Sequence, residues 1–329
     1  MAQIGLFGTG RDGRSVQAVR LQGGGLRVTV LTRGAILQDL RLDGDDRPLV
    51  LGSSQLAAYE GPMAWFGAVV GPVANRIGGA QAVIDGVPYR FAPNEGTILL
   101  HGGAAGTHAR LWRIAQATAD AVTLALDLPH MCDGFPGGRR LTARYAITGP
   151  GRLAVDLTAE TDAPTLMNLA CHPYVNLGDG RSLAGHRLTV QADRYLPTRD
   201  GLPTGGPVPV GGAFDLRVGR DLTAAAGLDH NFCLADAPRP LTPVAVLSGP
   251  DGLRLRLATT APGLQVYDGA HLDTAPLAGH GGAPYGPHAG LALEPQAWPD
   301  APNHAGFPPV LLRPGQLWQQ SSHWDFDRI

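Results

Sequence analysis

Five short segments carry side chains that could exchange protons and bind hydroxyl groups. Glu294 directly follows the alternating run Leu291, Leu293, so we expect it at a strand end, projecting into a cleft as a general base. The other four segments contain Asn75-Arg76, His101-Gly102-Gly103, Cys171-His172-Pro173-Tyr174 and Asp229-His230-Asn231. Together the segments supply a base, candidate acids, a fixed cation and neutral hydrogen-bonding groups.

His172 is a candidate general acid because the ordinary pKa of imidazole lies near neutrality. Asn168 and Asn176 lie on either side of it in sequence. Two interpretations therefore stay open: a catalytic histidine, or a core histidine that these amides satisfy. Cys171 precedes His172, but adjacent residues of a strand point to opposite faces. We therefore do not expect a Cys–His nucleophile.

The remaining candidates are planar polar groups that suit the recognition of a polyol. Arg76 follows Asn75 in a segment bracketed by glycines, where a guanidinium stays charged and donates several hydrogen bonds. His101 ends a predicted strand and enters a tight Gly-Gly loop. Asp229 can accept hydrogen bonds from hydroxyls, and Gln265 offers a neutral amide within a strand. A polyol needs such donors and acceptors at each hydroxyl.

Other motifs do not indicate chemistry. No cluster has the spacing of metal ligands, so we predict no metal site. Residues 8–13 read GTGRDG and match the dinucleotide fingerprint, but the residues that follow alternate like a strand and do not open a helix. Arg11-Asp12-Gly13 is therefore predicted to be a hairpin turn. Structural roles are assigned to the histidines in less defined surroundings: His108, His130, His186, His271, His280, His288, His304 and His323.

Period-two alternation recurs along the chain and predicts the strands that position these side chains. The alternating runs include Val122–Leu128, Leu141–Ile147, Leu153–Leu157, Leu253–Leu257, Val28–Leu31 and Gln265–Tyr267. Helical signals are short, at Ser53–Tyr59 and Leu222–Ala226. The pattern predicts an all-β protein with two large antiparallel sheets packed face to face. No linker stands out, so we expect one domain over residues 1–329.

Composition narrows the functional classes. The 329 residues are 44% hydrophobic and 16% charged, which excludes a disordered chain. The formal net charge of −2 argues against binding nucleic acid. All 26 basic residues are arginine, which excludes lysine chemistry. Three cysteines are too few for a disulfide framework, and neither a signal peptide nor a membrane span is recognisable. We therefore expect a cytoplasmic protein without a membrane partner.

Taken in order, the segments resemble the aldose 1-epimerase (galactose mutarotase) family. GPVANRIGGA (71–80) is similar to the family's G-R-x-A-N-R-I block, and residues 100–103 to its L-H-G-G. ACHPYVNLGD (170–179) is similar to N-H-S-Y-F-N-L. LDHNF (228–232) and PGLQVYDG (262–269) follow, and residues 292–316 resemble L-E-x-Q-x-x-P-D-x-x-N with L-R-P-G.

The resemblance implies a large antiparallel β-supersandwich with few short helices and a cofactor-free site for a small monosaccharide. The reaction it implies interconverts the α and β anomers of an aldose, with Glu294 as general base and His172 as general acid. The sugar-contacting residues it implies are Asn75, Arg76, His101, Asp229 and Gln265. Ordinary pKa values of about 4.3 for glutamate and about 6.5 for histidine then predict a bell-shaped pH profile. We expect a monomer or a homodimer.

Departures from the family pattern leave the preferred sugar open. Cys171, Pro173 and Val175 stand where the family has Asn, Ser and Phe, and Pro72 and Pro295 also differ from the commonest residues.

Two alternative functions also stay open. A hexose-6-phosphate epimerase needs an additional arginine cluster for the phosphate, and no dedicated block beyond Arg76 is recognisable. A non-catalytic sugar-binding protein of the same fold would not require both Glu294 and His172.

Overall fold

The computed structural model describes residues 2–222 and 227–328, and these residues form short strands joined by turns. In chain order the strands are β1 (Gln3–Thr9), β2 (Ser15–Gly23), β3 (Leu26–Leu31), β4 (Leu37–Leu42), β5 (Val69–Val70), β6 (Arg76–Ile77), β7 (Gln81–Ile84), β8 (Val87–Arg90), β9 (Leu99–Leu100), β10 (Arg113–Ala117), β11 (Ala121–Leu128), β12 (Arg139–Gly149), β13 (Arg152–Thr161), β14 (Thr165–Leu166), β15 (Ala170–Cys171), β16 (Tyr174–Val175), β17 (Arg187–Val190), β18 (Arg194–Tyr195), β19 (Thr198–Arg199), β20 (Leu202–Pro203), β21 (Val208–Pro209), β22 (Arg220–Asp221), β23 (Asp229–Cys233), β24 (Thr242–Ser248), β25 (Leu253–Thr259), β26 (Gly263–Tyr267), β27 (Leu291–Gln296), β28 (Leu311–Leu312) and β29 (Trp318–Arg328).

Helical structure is limited to single turns. The one α-helix in the described part of the chain, α1, spans Leu56–Tyr59. Short 3₁₀ turns occupy Gly78–Ala80, Thr107–Ala109, Cys132–Gly134, Gly212–Phe214 and Ala301–Asn303. No helix among the described residues is long and apolar enough to cross a membrane.

Three sheets make up most of the molecule. The largest has nine strands in the order β10-β11-β12-β13-β29-β25-β24-β17-β22. A six-stranded sheet has the order β16-β27-β26-β23-β18-β21, and a four-stranded sheet runs β1-β2-β3-β4. The neighbouring strands pair antiparallel in all three sheets. One cluster of buried side chains joins residues of all three sheets, from Val19 to Phe326.

The predicted fold class and strand positions are confirmed. Each alternating run coincides with a strand, including β3, β11, β12, β13, β25 and β26. The GTGRDG segment ends β1 and forms the turn to β2, and the amide of Gly13 donates to the carbonyl of Gly10. The helical turn predicted within Ser53–Tyr59 is α1. The turn predicted at Leu222–Ala226 falls outside the described residues except for Leu222.

The six-stranded sheet has two buried faces of different character. In β27, Leu291 and Leu293 point into the large core cluster, whereas Ala292 belongs to a second cluster. Side chains two residues apart share a face, so Glu294 lies on the same face as Ala292. This alternation presents a polar row on the face opposite the main core.

The expected position of Glu294 at a strand end was wrong in detail. β27 continues through Pro295 to Gln296, and all six of its residues are buried. The strand lies between β16 and β26 in the six-stranded sheet. Glu294 is therefore held inside a sheet and not at its edge, which makes its surroundings far drier than a strand end would be.

Candidate active site

The pocket floor is the polar face of the six-stranded sheet. Cross-strand pairing sets Gln265 beside Glu294 and Asp229 beside Tyr267. Tyr174 of β16 pairs with Ala292 and completes the same face. The residues between them, such as Leu264 and Val266 in β26, point into the core. Strand alternation thus delivers side chains from four strands to one surface.

One wall of the pocket comes from the small β6–β9 pair, where Arg76 lies opposite Leu100. The amide of Asn75 donates to Nδ1 of His101 at 3.1 Å, and the amide of His101 donates to the Asn75 carbonyl at 2.9 Å. Asn75 and His101 both have positive φ values, 62° and 52°. Non-glycine residues adopt this conformation rarely and at an energetic cost, so the reciprocal bonds stabilise a strained junction.

Gly102 explains why a glycine must follow His101. Its φ is +79°, and a Cβ there would lie 1.9 Å from the carbonyl oxygen of Gly71. Only glycine allows the two backbone segments to approach this closely. The Gly-Gly loop therefore holds His101 against the segment that carries Asn75 and Arg76.

His172 and Glu294 face each other at the base of the pocket. His172 Nε2 lies 3.4 Å from Glu294 Oε1, and the side chains are 5% and 3% exposed. His172 Nδ1 and Glu294 Oε2 have no hydrogen-bond partner among the described residues. Buried polar atoms are normally satisfied, so this pair has unused capacity for a polar ligand.

Burial shifts the pKa values of both His172 and Glu294 away from their ordinary values. Desolvation raises the pKa of Glu294 well above its usual value, and Asp229 adds to the rise. Desolvation lowers the pKa of His172 to about 4. The ordinary pKa values expected from the sequence therefore do not apply to this pair, because burial shifts the pKa of Glu294 upward and that of His172 downward. Burial thus disfavours the carboxylate of Glu294 and the imidazolium of His172 alike.

His101 is a neutral hydrogen-bond donor. Because its Nδ1 accepts the Asn75 amide, the ring proton must be on Nε2. Desolvation lowers the pKa of His101 well below its ordinary value, and His172 contributes to the shift. The His101 and His172 rings meet edge to face at 5.2 Å, and Trp65 packs on His101 at 5.3 Å. A neutral donor thus lies beside the acid–base pair.

The guanidinium of Arg76 lies between two carboxylates, those of Glu95 and Asp229. Nε and Nη2 of Arg76 donate to the carboxylate of Glu95 at 2.6 and 2.9 Å. Nη1 lies 4.0 Å from Asp229, whose other oxygen accepts a bond from Gln265 at 2.6 Å. Burial lowers the pKa of Arg76, but Glu95 and the nearby acids outweigh this and hold it above its ordinary value.

The structure brings all seven sequence-predicted site residues into one cavity of about 270 Å³. Sequence reasoning missed several of its neighbours, because a tryptophan, a tyrosine or an isolated acid carries no local signal of function. His271, which was assigned a structural role, also lines the cavity. The missed lining residues are Pro62, Trp65, Phe66, Glu95, Leu100, Tyr174, Tyr267, His271, Leu272 and Asp273.

Cys171 does not take part in this pocket. Its thiol contacts the hydroxyl of Tyr145 at 3.5 Å and belongs to the main core cluster. Burial raises its pKa to about 12, which keeps the thiol protonated. The prediction that Cys171 and His172 point to opposite faces is confirmed.

One group of side chains could hold a metal ion. Ligand atoms of His101, His172 and Glu294 all lie within 4.8 Å of one another. Two imidazoles and a carboxylate suit zinc, although zinc requires bonds of about 2.0–2.2 Å. The same atoms form the acid–base pair and its neighbouring donor. The absence of a metal and a cofactor stays a prediction.

The pocket can therefore carry a proton between two atoms of a small polar molecule. One titratable pair exchanges the proton, while an imidazole donor and a guanidinium lie beside it. The carboxylate of Asp229 and the amide of Gln265 provide acceptors and donors for hydroxyl groups. Aromatic rings, including those of Trp65 and Tyr267, supply the apolar surface.

Comparison with known proteins gives a consistent result. The family model described as aldose 1-epimerase matches residues 17–324. Human galactose mutarotase is 37% identical over 327 residues, which cover 95% of each chain. Aldose 1-epimerase of Escherichia coli K12 is 33% identical over 335 residues, which cover 96% of each chain.

Solved structures agree with the sequence matches. A GalM/aldose epimerase homologue from Caenorhabditis elegans superposes with a TM-score of 0.88 at 30% identity, covering 95% of this chain and 99% of that one. Galactose 1-epimerase from Lactobacillus acidophilus gives a TM-score of 0.85 at 27% identity, covering 100% and 99%.

Proposed function

The chain belongs to the aldose 1-epimerase family, and from this premise we propose that Glu294 and His172 are its acid–base pair. The protein is a mutarotase, an isomerase that interconverts the α and β anomers of a free aldose. The observation that supports the residue assignment is the buried contact of 3.4 Å between His172 Nε2 and Glu294 Oε1. A base and an acid at this separation can serve the two oxygens bonded to the anomeric carbon.

In the proposed reaction, the Glu294 carboxylate takes the proton of the C1 hydroxyl while the His172 imidazolium gives one to the ring oxygen. The bond between C1 and the ring oxygen breaks, and an open-chain aldehyde forms. Rotation about C1–C2 exposes the other face of the carbonyl. Ring closure then reverses both proton transfers and restores the pair. Assistance of this kind contributes about 10²–10⁴-fold to the rate.

The shifted pKa values of Glu294 and His172 are compatible with this scheme. The neutral pair and the charged pair contain the same single proton, so moving it across 3.4 Å forms the reactive carboxylate and imidazolium. Sugar hydroxyls would hydrogen-bond the charged forms, which offsets part of the desolvation that disfavours them. Substrate binding would thus produce the reactive form.

The neighbouring groups have separate proposed roles. The Nε2–H of His101 and the Nη1 of Arg76 would stabilise negative charge that develops on the ring oxygen. Asp229 and Gln265 already bond each other and would recognise hydroxyls as a unit. Asn75 would fix the positions of His101 and Arg76, since it bonds the imidazole of one and the backbone of the other.

A neutral hexose such as galactose is the proposed substrate. The relatives named above include human galactose mutarotase. A hexose 6-phosphate has less support: Arg76 is the only arginine among the described residues lining the pocket, and Glu95 occupies two of its donors. Phosphate recognition typically uses a free guanidinium fork or several cations.

The cellular setting is also proposed. Three free cysteines, Cys132, Cys171 and Cys233, are consistent with a cytoplasmic enzyme. We propose a cofactor-free monomer or homodimer without nucleic-acid or membrane partners. One domain over residues 1–329 is supported by β29, which pairs with both β13 and β25.

Polarimetry of freshly dissolved α-galactose tests the proposal. The wild-type protein should accelerate the approach to anomeric equilibrium, and Glu294→Gln should lose about 10²–10⁴-fold of the catalysed rate. Glu160→Gln is the matched control, because Glu160 lies exposed on β13 outside the pocket. A Glu294→Gln variant that mutarotates as fast as this control would refute the assignment.

A further inference from the structure

Glu95 holds the pocket's arginine in one orientation. Its carboxylate accepts Nε and Nη2 of Arg76 at 2.6 and 2.9 Å, in a two-bond fork. Its backbone is fixed by a short bridge to Ile98. The side chain is 39% exposed and lines the cavity, so this ion pair belongs to the pocket wall and not to the core.

The ion pair with Glu95 determines which N–H donors Arg76 can offer to a ligand. A guanidinium bound through Nε and Nη2 can no longer present that edge to an incoming carboxylate or phosphate. Nη1 is left, and it points toward Asp229 at 4.0 Å. Arg76 therefore acts toward a bound sugar as a donor to hydroxyl or ring oxygens and not as an anion receptor.

The remaining charges of the pocket are negative. Its described lining contains four carboxyl groups, those of Glu95, Asp229, Asp273 and Glu294, against the one guanidinium of Arg76. Glu95 and Asp273 lie toward solvent, where a charge on a sugar substituent would meet them. The chain has only four glutamates, and two of them line this cavity.

We infer that Glu95 is a specificity-determining residue that makes the pocket accept neutral and cationic aldoses and reject anionic ones. The inference rests on the proposed function, because it assigns a substrate class to the same site. The favoured class includes 2-amino-2-deoxyhexoses with a protonated amine. The rejected class includes uronic acids and sugar phosphates, which meet Glu95 and Asp273 and find no free guanidinium fork.

The test compares three sugars of similar shape and different charge: galactose, galactosamine and galacturonate. Mutarotation is followed by NMR at about pH 6.5, where a sugar carboxylate is ionised. Glu95→Gln keeps the shape of the side chain and removes its charge. The kcat/KM ratio of galacturonate to galactose should rise about five- to tenfold, and the ratio of galactosamine to galactose should fall. Both shifts should shrink between about 20 mM and about 500 mM salt.

Ratios measured on one protein sample do not depend on how much of it is folded, so a partly misfolded variant still gives a valid result. Glu160→Gln removes the same charge from an exposed position outside the pocket and should leave both ratios unchanged. The inference is overturned if Glu95→Gln moves neither ratio, or moves both in the same direction. A wild-type protein inactive on galactose would instead refute the proposed function.

Discussion

Two contacts in this molecule pair a carboxyl group with a basic side chain, and the pKa of the carboxyl group shifts in opposite directions in the two. On the large sheet, Asp327 of β29 accepts two bonds from Arg254 at 2.9 and 3.0 Å, and Arg256 approaches it at 2.6 Å. These side chains are between 27% and 50% exposed. In the pocket, Glu294 meets His172 at 3.4 Å, and both are almost completely buried.

The two carboxyl groups consequently titrate in opposite directions. Hydrogen bonds from Arg254 lower the pKa of Asp327, despite some desolvation. Desolvation raises the pKa of Glu294, and the single nearby arginine, Arg76, does not compensate for it. Donors and solvent thus stabilise charge at the sheet surface, whereas burial in the pocket disfavours the charged forms of Glu294 and His172. Perturbed groups of this kind mark functional sites.

Removing the imidazole should have the largest effect. His172→Asn leaves a polar side chain but no group that can transfer a proton near neutrality, so kcat should fall about 10²–10⁴-fold. Polarimetry of the variant on galactose measures the loss. Asp327→Asn alters the other contact in the comparison and should retain the wild-type rate. If His172→Asn and Asp327→Asn mutarotate galactose at the same rate, the two contacts do not differ in function.

A misplaced Arg76 should have a moderate effect. Gly201 has a φ of +76°, and a Cβ there would lie 2.5 Å from Nε of Arg76. Gly201→Ala should push the guanidinium aside and raise the KM for galactose about tenfold, because small displacements of binding groups are costly. Gly205→Ala in the same loop is the control, since its Cβ would meet nothing within 4 Å. If Gly201→Ala and Gly205→Ala have the same KM for galactose, the proposed role of Arg76 in binding the sugar is contradicted.

Glu294→Gln should stabilise the fold while it abolishes activity. The folded-state pKa of Glu294 is raised, so the stability it contributes is fully present below its ordinary pKa of about 4.5 and is lost as pH rises toward the folded value. The variant should therefore gain about 1 kcal/mol over the wild type near neutral pH, or roughly 2 °C in Tm. Calorimetry from about pH 4.5 to pH 8 should show the difference growing with pH. A constant or shrinking difference would argue against a buried, strained carboxyl group.

The surface contact should give the smallest change. Asp327→Asn removes an ion pair that is about one-third exposed, so the free energy of unfolding should drop by about 0.5 kcal/mol. The loss should be smaller at high salt, because exposed charges are screened. Chemical denaturation at two salt concentrations measures both values. A loss of several kcal/mol would mean that this contact also depends on burial.

The sequence predicted the strands, and it singled out seven polar residues that share one cavity, because both have local signals. Alternation marks β11, β12 and β13, and blocks such as Leu100–Gly103 carry the resemblance to the family. Glu95 has no such signal. It is brought to Arg76, 19 positions away, by the β6–β9 pairing and the turn that precedes β9.

The electrostatics of the pocket were the part that the sequence did not predict. The run Leu291, Leu293 predicted Glu294 at a strand end, but β27 continues to Gln296 and all six of its residues are buried. The pKa of Glu294 depends on that burial and not on its neighbours in sequence. His172 and Glu294 come from distant parts of the chain, so their contact is visible only in the fold.

The pH dependence of kcat/KM for wild-type galactose mutarotation tests the central claim most directly. The spontaneous rate is subtracted at each pH, and circular dichroism verifies that the protein stays folded. Burial disfavours the charged form of each group, which predicts activity through neutrality: the acid loss lies near pH 4, where His172 takes up a second proton, and the alkaline loss follows the raised pKa of Glu294. A narrow maximum between the ordinary values of about 4.3 and 6.5, with a decline above them, would contradict it.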